Sequence, residues 1–178
     1  MKVTILYDNV SLRDDLEADW GFSCLVEVPG APTVLFDTGG SGEILLANMR
    51  RLDVSPGDVD LIFLSHAHFD HVGGLSSVLD ANPDVRVVAP SSLRGIRRAR
   101  EVDYGVAPGP IGEGLFTTGE LPAGEQALAV RTKRGIAVLT GCAHPPMRGI
   151  LEAASAFGPV RALLGGFHGL SDLDLLEG

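Results

Sequence analysis

The sequence predicts a layered α/β sandwich formed by a single domain. The chain has 178 residues, a length that suits one domain with a buried core. Its hydrophobic share is 45% and its charged share is 21%, both typical of a folded globular protein. Short apolar runs with strand character alternate with helical patterns along the chain. This mixture is typical of sheets that are covered by helices.

The sequence of the first half of the chain predicts four strands and two helices. Each predicted strand is an apolar run bounded by turn-forming residues, and each helix shows apolar residues at helical spacing. The run Leu-Ile-Phe-Leu at 61–64 is continuously apolar, as expected for a strand covered on both faces. The predicted strands are 2–7, 23–28, 33–36 and 61–64, and the predicted helices are 43–52 and 72–79.

The second half predicts further strands, a hairpin and two more helices. Residues 101–113 are expected to form a loop, because glycine and proline interrupt this stretch. The predicted strands are 85–89, 126–132, 135–139 and 160–164, and the predicted helices are a short basic one at 91–100 and a second one at 149–157.

Charge and composition exclude several functions. The net charge of −9 disfavours a general nucleic-acid binder, which usually has a basic surface. No apolar run approaches the roughly 18 residues that a membrane helix needs. The N-terminal apolar stretch is broken at Asp8, too early for a signal peptide. We therefore expect a cytoplasmic protein with a small-molecule substrate, no nucleic-acid partner and no membrane.

Ligand-type side chains cluster after the strand at 61–64. The segment 65–71 reads Ser-His-Ala-His-Phe-Asp-His. In extended backbone, residues two apart point the same way, so His66 and His68 can bind one metal ion together. Asp70 and His71 follow and can face a second ion. Imidazole and carboxylate suit Zn²⁺, and also Fe²⁺ or Mn²⁺, so one or two such ions per chain are predicted.

The two remaining histidines each follow a predicted strand. His144 stands in Thr-Gly-Cys-Ala-His at 140–144, and His168 in Gly-Gly-Phe-His at 165–168. Both can therefore reach the same sheet edge as the first cluster and serve as ligands, because that cluster alone leaves two metals short of protein ligands. Cys142 has two interpretations: a thiolate that completes the second site, or a small buried side chain, the commonest role of a free cysteine. Cys24 lies within a strand and is assigned to the core.

These motifs resemble the metallo-β-lactamase superfamily. Its pattern His-x-His-x-Asp-His is present at 66–71, and Leu-Phe-Asp-Thr-Gly at 35–39 is similar to its second motif, in which the aspartate, here Asp37, supports the metal loop. Within the superfamily the chain is most similar to the dihydropterin-6-methyl ribofuranosylaminobenzene phosphate synthase-like group. The stretches that carry this likeness are 21–23, 65–74, 114–119, 125–126, 140–144 and 165–168.

The resemblance implies an αβ/βα sandwich of two mixed sheets flanked by helices, with the metals in a cleft at the sheet edge. It also assigns the ligands. One metal would take His66, His68 and His144, and the other Asp70, His71 and His168. Asp70 would act in catalysis as well, by orienting the attacking hydroxide. The group continues where this chain ends, so the resemblance predicts one short domain, 1–178, that lacks the usual C-terminal segment.

The resemblance implies a metal-dependent hydrolase that uses a metal-bound hydroxide on an ester, thioester, lactone, β-lactam or phosphodiester. Alternatives are a pterin-pathway synthase-like enzyme that forms a C–N bond, and a non-catalytic metal-binding protein. A di-iron redox protein is disfavoured, because such sites carry Glu at the position of His68.

Three further features have two interpretations each. A set of arginines at 94–100 is either a solvated face or a site for an anionic substrate; these are Arg94, Arg97, Arg98 and Arg100. Ser41 and Gly42 could cradle an anion at a helix N-terminus. Trp20 either lines the cleft or belongs to the core.

Overall fold

A computed structural model describes residues 1–168 and Leu170, and over these residues it has the predicted α/β sandwich. Two mixed sheets pack face to face, and helices cover their outer faces. The first sheet contains β1 (Lys2–Tyr7), β2 (Ser23–Glu27), β3 (Val34–Phe36), β4 (Leu61–Phe63), β5 (Arg86–Ala89) and β6 (Glu101–Tyr104). The second sheet contains β7 (Gly109–Gly112), β8 (Leu115–Thr117), β9 (Leu128–Thr132), β10 (Gly135–Thr140) and β11 (Val160–Gly165).

Each sheet combines antiparallel and parallel pairs. In the first sheet the strands lie in chain order; β1, β2 and β3 pair antiparallel, whereas β3 to β6 pair parallel. In the second sheet the order is β11-β10-β9-β8-β7, and the β10–β11 pair is parallel while the others are antiparallel. Each sheet thus contains neighbouring parallel strands whose carboxyl ends lie side by side.

Apolar side chains fill three layers between the secondary structure elements. The central layer lies between the two sheets and includes the stacked rings of Phe36 and Phe63, whose centroids are 5.7 Å apart. The first outer layer packs α1 (Gly42–Arg51) and α3 (Leu75–Ala81) onto the first sheet. The other packs α4 (Met147–Ser155) onto the second sheet. Burial in all three layers makes the two sheets one unit and fixes the position of their edges.

Short helices connect the strands to the functional residues. The helix α2 (Phe69–Val72) follows β4 and contains part of the predicted metal motif. The hydroxyl of Ser41 accepts a hydrogen bond from the backbone N–H of Ile44, so Ser41 is the N-cap of α1. This capping role accounts for Ser41 without an anion. Over residues 1–168, no helix is long and apolar enough to cross a membrane.

Two predictions about secondary structure were wrong. Residues 91–100 form no helix, because Gly95 and Arg98 both adopt positive φ angles, of 75° and 67°. Residues 101–113 contain β6 and β7 instead of a continuous loop. Both strands lie at the edge of their sheet, where glycine and proline are tolerated and apolar alternation is weak.

Candidate metal centre

The candidate site lies where the carboxyl ends of two parallel strand pairs meet, one pair from each sheet. Asp37 directly follows β3, and His66 follows the neighbouring strand β4. Cys142 follows β10, and His168 follows the neighbouring strand β11. The loops that follow parallel strands present their side chains at the carboxyl ends of those strands. This edge is the usual place for a ligand site in α/β proteins. Both sheets therefore supply functional side chains to one place.

The buried side chain of Gln126 holds the two sheets together at this edge. Its amide nitrogen donates a hydrogen bond to the carbonyl of Leu64, at 2.9 Å. The backbone N–H of Gln126 donates to the carbonyl of Ser65, also at 2.9 Å. Because Leu64 and Ser65 directly precede His66, these bonds fix the first ligand segment against the second sheet.

The predicted histidines and Cys142 converge at this edge. Their possible ligand atoms form overlapping sets of three in which all atoms lie within 4.8 Å of one another. These sets are His66, His68 and His144; His66, His71 and Cys142; and Cys142, His144 and His168. Thiolate and imidazole are the donors that zinc and other transition metals prefer, so the donor chemistry fits such an ion.

The carboxylate of Asp37 controls which nitrogen of two histidines faces the site. Its Oδ2 accepts hydrogen bonds from the Ser65 hydroxyl and from His71 Nδ1, both at 2.7 Å. The Ser65 proton is used in this bond, so the Ser65 oxygen accepts from His66 Nδ1, at 2.8 Å. Both rings thus carry a proton on Nδ1, and their Nε2 atoms point to the centre. Such supporting hydrogen bonds are typical of metal-binding histidines.

His66 Nε2 shows the fit to a metal most directly. Among the residues that the structure describes, it is the buried side-chain nitrogen or oxygen without a hydrogen-bond partner. Burial, with the charge of His71 as a further cause, lowers the pKa of His66 to about 3. The ring is therefore neutral at physiological pH and offers a free electron pair on Nε2. An unpaired buried polar atom destabilises a fold unless a bound group satisfies it.

A second buried carboxylate, that of Glu125, supports His144 in the same way. Glu125 Oε2 lies 2.9 Å from His144 Nδ1 and accepts the backbone N–H of His144 at 2.9 Å. Its Oε1 accepts from the Ala143 N–H and from the Thr140 hydroxyl, both at 3.0 Å. Burial alone would raise the pKa of Glu125, but these hydrogen bonds and the nearby His66 lower it. An ionised carboxylate thus positions the loop after β10.

His71 lies between Asp37 and Cys142. Its Nε2 is 3.2 Å from the Cys142 sulfur, a residue that is 71 positions away in the sequence. Although burial lowers the pKa of His71, its hydrogen bonds to Asp37 and Cys142 raise it to about 10. In the metal-free chain the ring therefore carries a proton on Nε2, where a metal ion would replace it.

The two ligand sets that the resemblance implies differ in their geometry. His66, His68 and His144 come together as one set. Asp70 lies beside His71, with Oδ2 3.6 Å from Nε2. Within the described residues, however, His168 is grouped with Cys142 and His144 rather than with His71. Cys142 therefore lies between the residues expected to hold the second metal.

The close approach of the two ligand loops depends on Gly141. A Cβ atom at this position would overlap the Ser65 hydroxyl and lie 2.9 Å from His66 Nδ1. The Ser65 hydroxyl is held by its hydrogen bond to Asp37, and the His66 ring by its hydrogen bond to Ser65, so neither can move away freely. The next residue but one, Ala143, has a φ of 57°, a conformation that is uncommon for alanine. The loop after β10 is therefore shaped by its contact with the first ligand segment.

A cavity of about 120 Å³ opens beside the ligand residues. Asp70, His71, Cys142 and His168 line it. Trp20 also lines it, with 64% of its surface exposed, so it belongs to the cleft and not to the core. A substrate group that enters the cavity would meet the metal ligands and an indole ring together.

The arginines at 94–100 do not line this cavity. Arg98 forms an ion pair with Asp80, and Arg94 lies over the ring of Tyr104 with its guanidinium carbon 5.2 Å from the centroid. Arg100 lies 4.0 Å from Asp84. The interpretation as a solvated face is the one that this placement favours.

Sequence reasoning missed the supporting residues Ser65, Glu125 and Gln126. Ser65 stands in the segment 65–71 without a role of its own, and Glu125 and Gln126 enter only through the resemblance. The one local signal is a Glu-Gln pair directly before the apolar strand β9, where two buried polar groups need partners.

The chain belongs to the metallo-beta-lactamase superfamily. The family model matches residues 21–156, which is most of the chain and includes the segment from His66 to His144. The fold and the His-x-His-x-Asp-His segment at the sheet edge agree with this membership. The family and the fold that the sequence predicts are thus both confirmed.

Two similar proteins cover nearly the whole chain. One is the 7,8-dihydropterin-6-methyl-4-(beta-D-ribofuranosyl)-aminobenzene-5'-phosphate synthase of Methanocaldococcus jannaschii, which is 26% identical over 229 residues covering 96% of this chain and 78% of the relative. The other is a crystal structure of Tm1679, described as a metal-dependent hydrolase of the beta-lactamase superfamily. It has 30% identity and a TM-score of 0.73, and the match covers 98% of this chain and 80% of Tm1679.

More distant structures share the fold alone. A quorum-quenching N-acyl homoserine lactone lactonase has 17% identity and a TM-score of 0.56, with 82% of this chain and 78% of the lactonase covered.

Proposed function

We propose that the chain is a metal-dependent hydrolase that acts on a small molecule with an ester, thioester, lactone or phosphodiester bond. The observation that carries the proposal is that ligand atoms of His66, His68 and His144 lie within 4.8 Å of one another. One of these residues, His66, also has a buried Nε2 atom without a hydrogen-bond partner. The family membership and the likeness to a metal-dependent hydrolase support it. The ion that best fits the donors is Zn²⁺, with Mn²⁺ and Fe²⁺ as alternatives.

The metal residues of this proposal are His66, His68, Asp70, His71, His144 and His168. A divalent ion held there would act as a Lewis acid and lower the pKa of water. Asp37 and Glu125 keep the histidine nitrogens directed to the centre. Asp70 lines the cavity, and its side chain is 21% exposed. Its carboxylate is therefore placed to accept a proton from an attacking water molecule.

The experiment compares the metal-depleted chain with the chain reloaded with Zn²⁺, Mn²⁺ or Fe²⁺. Metal content is measured by elemental analysis, and turnover is measured on chromogenic esters, thioesters, lactones and phosphodiesters. We expect turnover only with bound metal. In His68→Ala we expect a large loss of both metal content and turnover. The control is Lys133→Ala, an exposed residue in the turn between β9 and β10. Less than about 0.3 metal per chain after reloading would overturn the proposal.

A second candidate is a synthase that forms a C–N bond, as in the pterin pathway. The observation that favours it is the match to the M. jannaschii synthase over 96% of this chain. The exposed ring of Trp20 at the cavity could stack on a planar heterocycle. Stoichiometric metal with no turnover on any hydrolase substrate, together with saturable binding of a pterin, would favour this candidate over the hydrolase.

A further inference from the structure

Cys142 belongs to two of the three overlapping sets of ligand atoms. Its side chain is buried, with 5% of the residue exposed, and its sulfur lies 3.2 Å from His71 Nε2. It is a member of the set with His66 and His71 and also of the set with His144 and His168. No other cysteine is near, because Cys24 lies in β2 between the two sheets. The ligand atoms of His66, His71, His144 and His168 lie within 4.8 Å of the Cys142 sulfur.

An independent observation points to a bound ion at the same place. His66 Nε2 is buried without a partner, and it belongs to a set that contains Cys142. His66 Nδ1 donates to the Ser65 oxygen, and the Ser65 hydroxyl donates to Asp37, so His66 Nε2 keeps a free electron pair. The donor set therefore contains one sulfur and two imidazole nitrogens, and one of these nitrogens has no hydrogen-bond partner. A transition metal bound there would satisfy it.

The other cysteine shows what a thiol with a packing role is like in this fold. Cys24 is fully buried among apolar residues of the central layer, and burial raises the pKa of its thiol. Cys142, in contrast, lines the cavity beside Asp70 and His168. The two cysteines of the chain thus have different surroundings, and Cys24 serves as a matched control.

We infer that Cys142 is a thiolate ligand of the metal centre. The inference rests on the proposed metal centre and adds to it a donor that the His-x-His-x-Asp-His motif does not contain. On binding, the thiol releases its proton to solvent, and the sulfur donates an electron pair to the ion without any change in oxidation state. A thiolate beside several imidazoles also favours Zn²⁺ or Fe²⁺ over Mn²⁺, which prefers oxygen donors.

The test uses the full chain loaded with Co²⁺, whose bond to a thiolate absorbs in the near ultraviolet through sulfur-to-cobalt charge transfer. Bound cobalt is measured on the same samples by elemental analysis. We expect this absorption in the wild type and in Cys24→Ala, and its loss in Cys142→Ser with cobalt still bound. The same absorption in Cys142→Ser, or its absence from a cobalt-loaded wild type, would overturn the inference.

Failure of the metal centre itself gives a different result. If the wild type binds no cobalt, the proposed function fails, and the inference fails with it. If cobalt binds but produces no charge-transfer absorption, only the role of Cys142 is overturned.

A second measurement needs no variant and covers the case in which Cys142→Ser does not fold. Iodoacetamide labelling of the native chain is mapped by mass spectrometry with and without Zn²⁺. We expect Zn²⁺ to slow the labelling of Cys142 by at least about tenfold, because coordination to the cation lowers the nucleophilicity of the sulfur and limits access to it. Equal labelling rates with and without stoichiometric Zn²⁺ would overturn the inference.

Discussion

Glu125 and His144 are joined twice: the same carboxylate oxygen accepts the backbone N–H of His144 and lies within hydrogen-bond distance of its ring nitrogen Nδ1, both at 2.9 Å. One buried side chain thereby fixes both the position of the loop after β10 and the direction of the imidazole. Its effect on metal binding can be measured separately from its effect on folding.

We predict that Glu125→Gln lowers the metal affinity by about 10- to 100-fold, the range typical of residues that support a metal ligand. The amide cannot accept four hydrogen bonds, so the His144 ring loses its fixed direction. Competition with a chromophoric chelator measures the affinity. Glu113→Gln is the control, since Glu113 is exposed in the turn between β7 and β8. An unchanged affinity in a folded Glu125→Gln variant would show that His144 needs no support.

Glu125 also makes stability depend on pH in a defined direction. Hydrogen bonds lower its pKa in the folded chain below the usual value of 4.5. Its contribution is therefore complete above about pH 4.5 and is lost as the pH falls through the folded pKa. Urea unfolding of the metal-free chain should show a steeper acid-side loss in the wild type than in Glu125→Gln. His66 titrates in both proteins and interacts with Glu125, so the difference between them reports Glu125 together with that interaction. Identical slopes would contradict this prediction.

Asp37 supports two ligands, and a pair of variants separates them. Asp37→Asn should weaken metal binding by about 10- to 100-fold and destabilise the chain by about 1–3 kcal/mol, because Asp37 accepts three hydrogen bonds on its two oxygens and the donating NH2 of the amide would replace one of those oxygens. Ser65→Ala breaks only the link to His66 and should have the smaller effect on affinity. Isothermal titration with Zn²⁺ and urea unfolding provide the two measurements. A larger affinity loss in Ser65→Ala would contradict the hydrogen-bond chain described above.

Two glycines of the same half of the chain should respond to alanine in opposite directions. Gly141→Ala would force the Ser65 hydroxyl and the His66 ring to move, and we expect a loss of about 1–3 kcal/mol. Gly149 lies in α4 with open space around it, so Gly149→Ala should stabilise by about 0.5–1 kcal/mol. Chemical unfolding of the metal-free variants gives both values. Equal effects would mean that the close approach at Gly141 does not constrain the site.

For a hydrolase, Asp70→Asn should reduce kcat by at least about 100-fold, which corresponds to roughly 3 kcal/mol of transition-state stabilisation. The amide cannot take a proton from water, whereas the fold should stay intact because the side chain lies at the sheet edge and outside the three apolar layers. The control is Asp84→Asn, whose side chain is 85% exposed. Steady-state kinetics and circular dichroism together test this. Full turnover in a folded Asp70→Asn protein would assign the chemistry to His66, His68 and His144 alone.

Most of the fold was predictable because the residues that begin and end its strands can be recognised in the local sequence. β1, β2, β3 and β4 are apolar runs that end at turn formers or at the metal motif, so local pattern was sufficient. β6 and β7 were missed because their partners in the sheets, and not their own residues, make them strands. The helix predicted at 91–100 is absent for a related reason. Gly95 and Arg98 adopt positive φ angles, and the N–H of Ile96 between them donates to the distant Tyr104 hydroxyl.

The histidines of the site were predictable for a different reason, namely their residue type and spacing. The role of their supports was not, because Glu125 reaches His144 over 19 positions and Asp37 reaches His71 over 34. Cys142 stayed open at the sequence level because its meaning depends on a contact 71 residues away. Such contacts exist only once the two sheets have come together.

The division of ligand residues between the two sheets has a consequence for how the chain comes apart. His66, His68 and His71 follow β4 of the first sheet, whereas Cys142, His144 and His168 follow strands of the second. A metal held by both groups would act as a fastener between the N-terminal and C-terminal halves. Its binding free energy would then oppose any opening of the sandwich along its central layer. Removal of the ion would weaken the packing between the two sheets more than the packing within either half of the chain. Amide hydrogen exchange should therefore accelerate first in the residues that face the central layer.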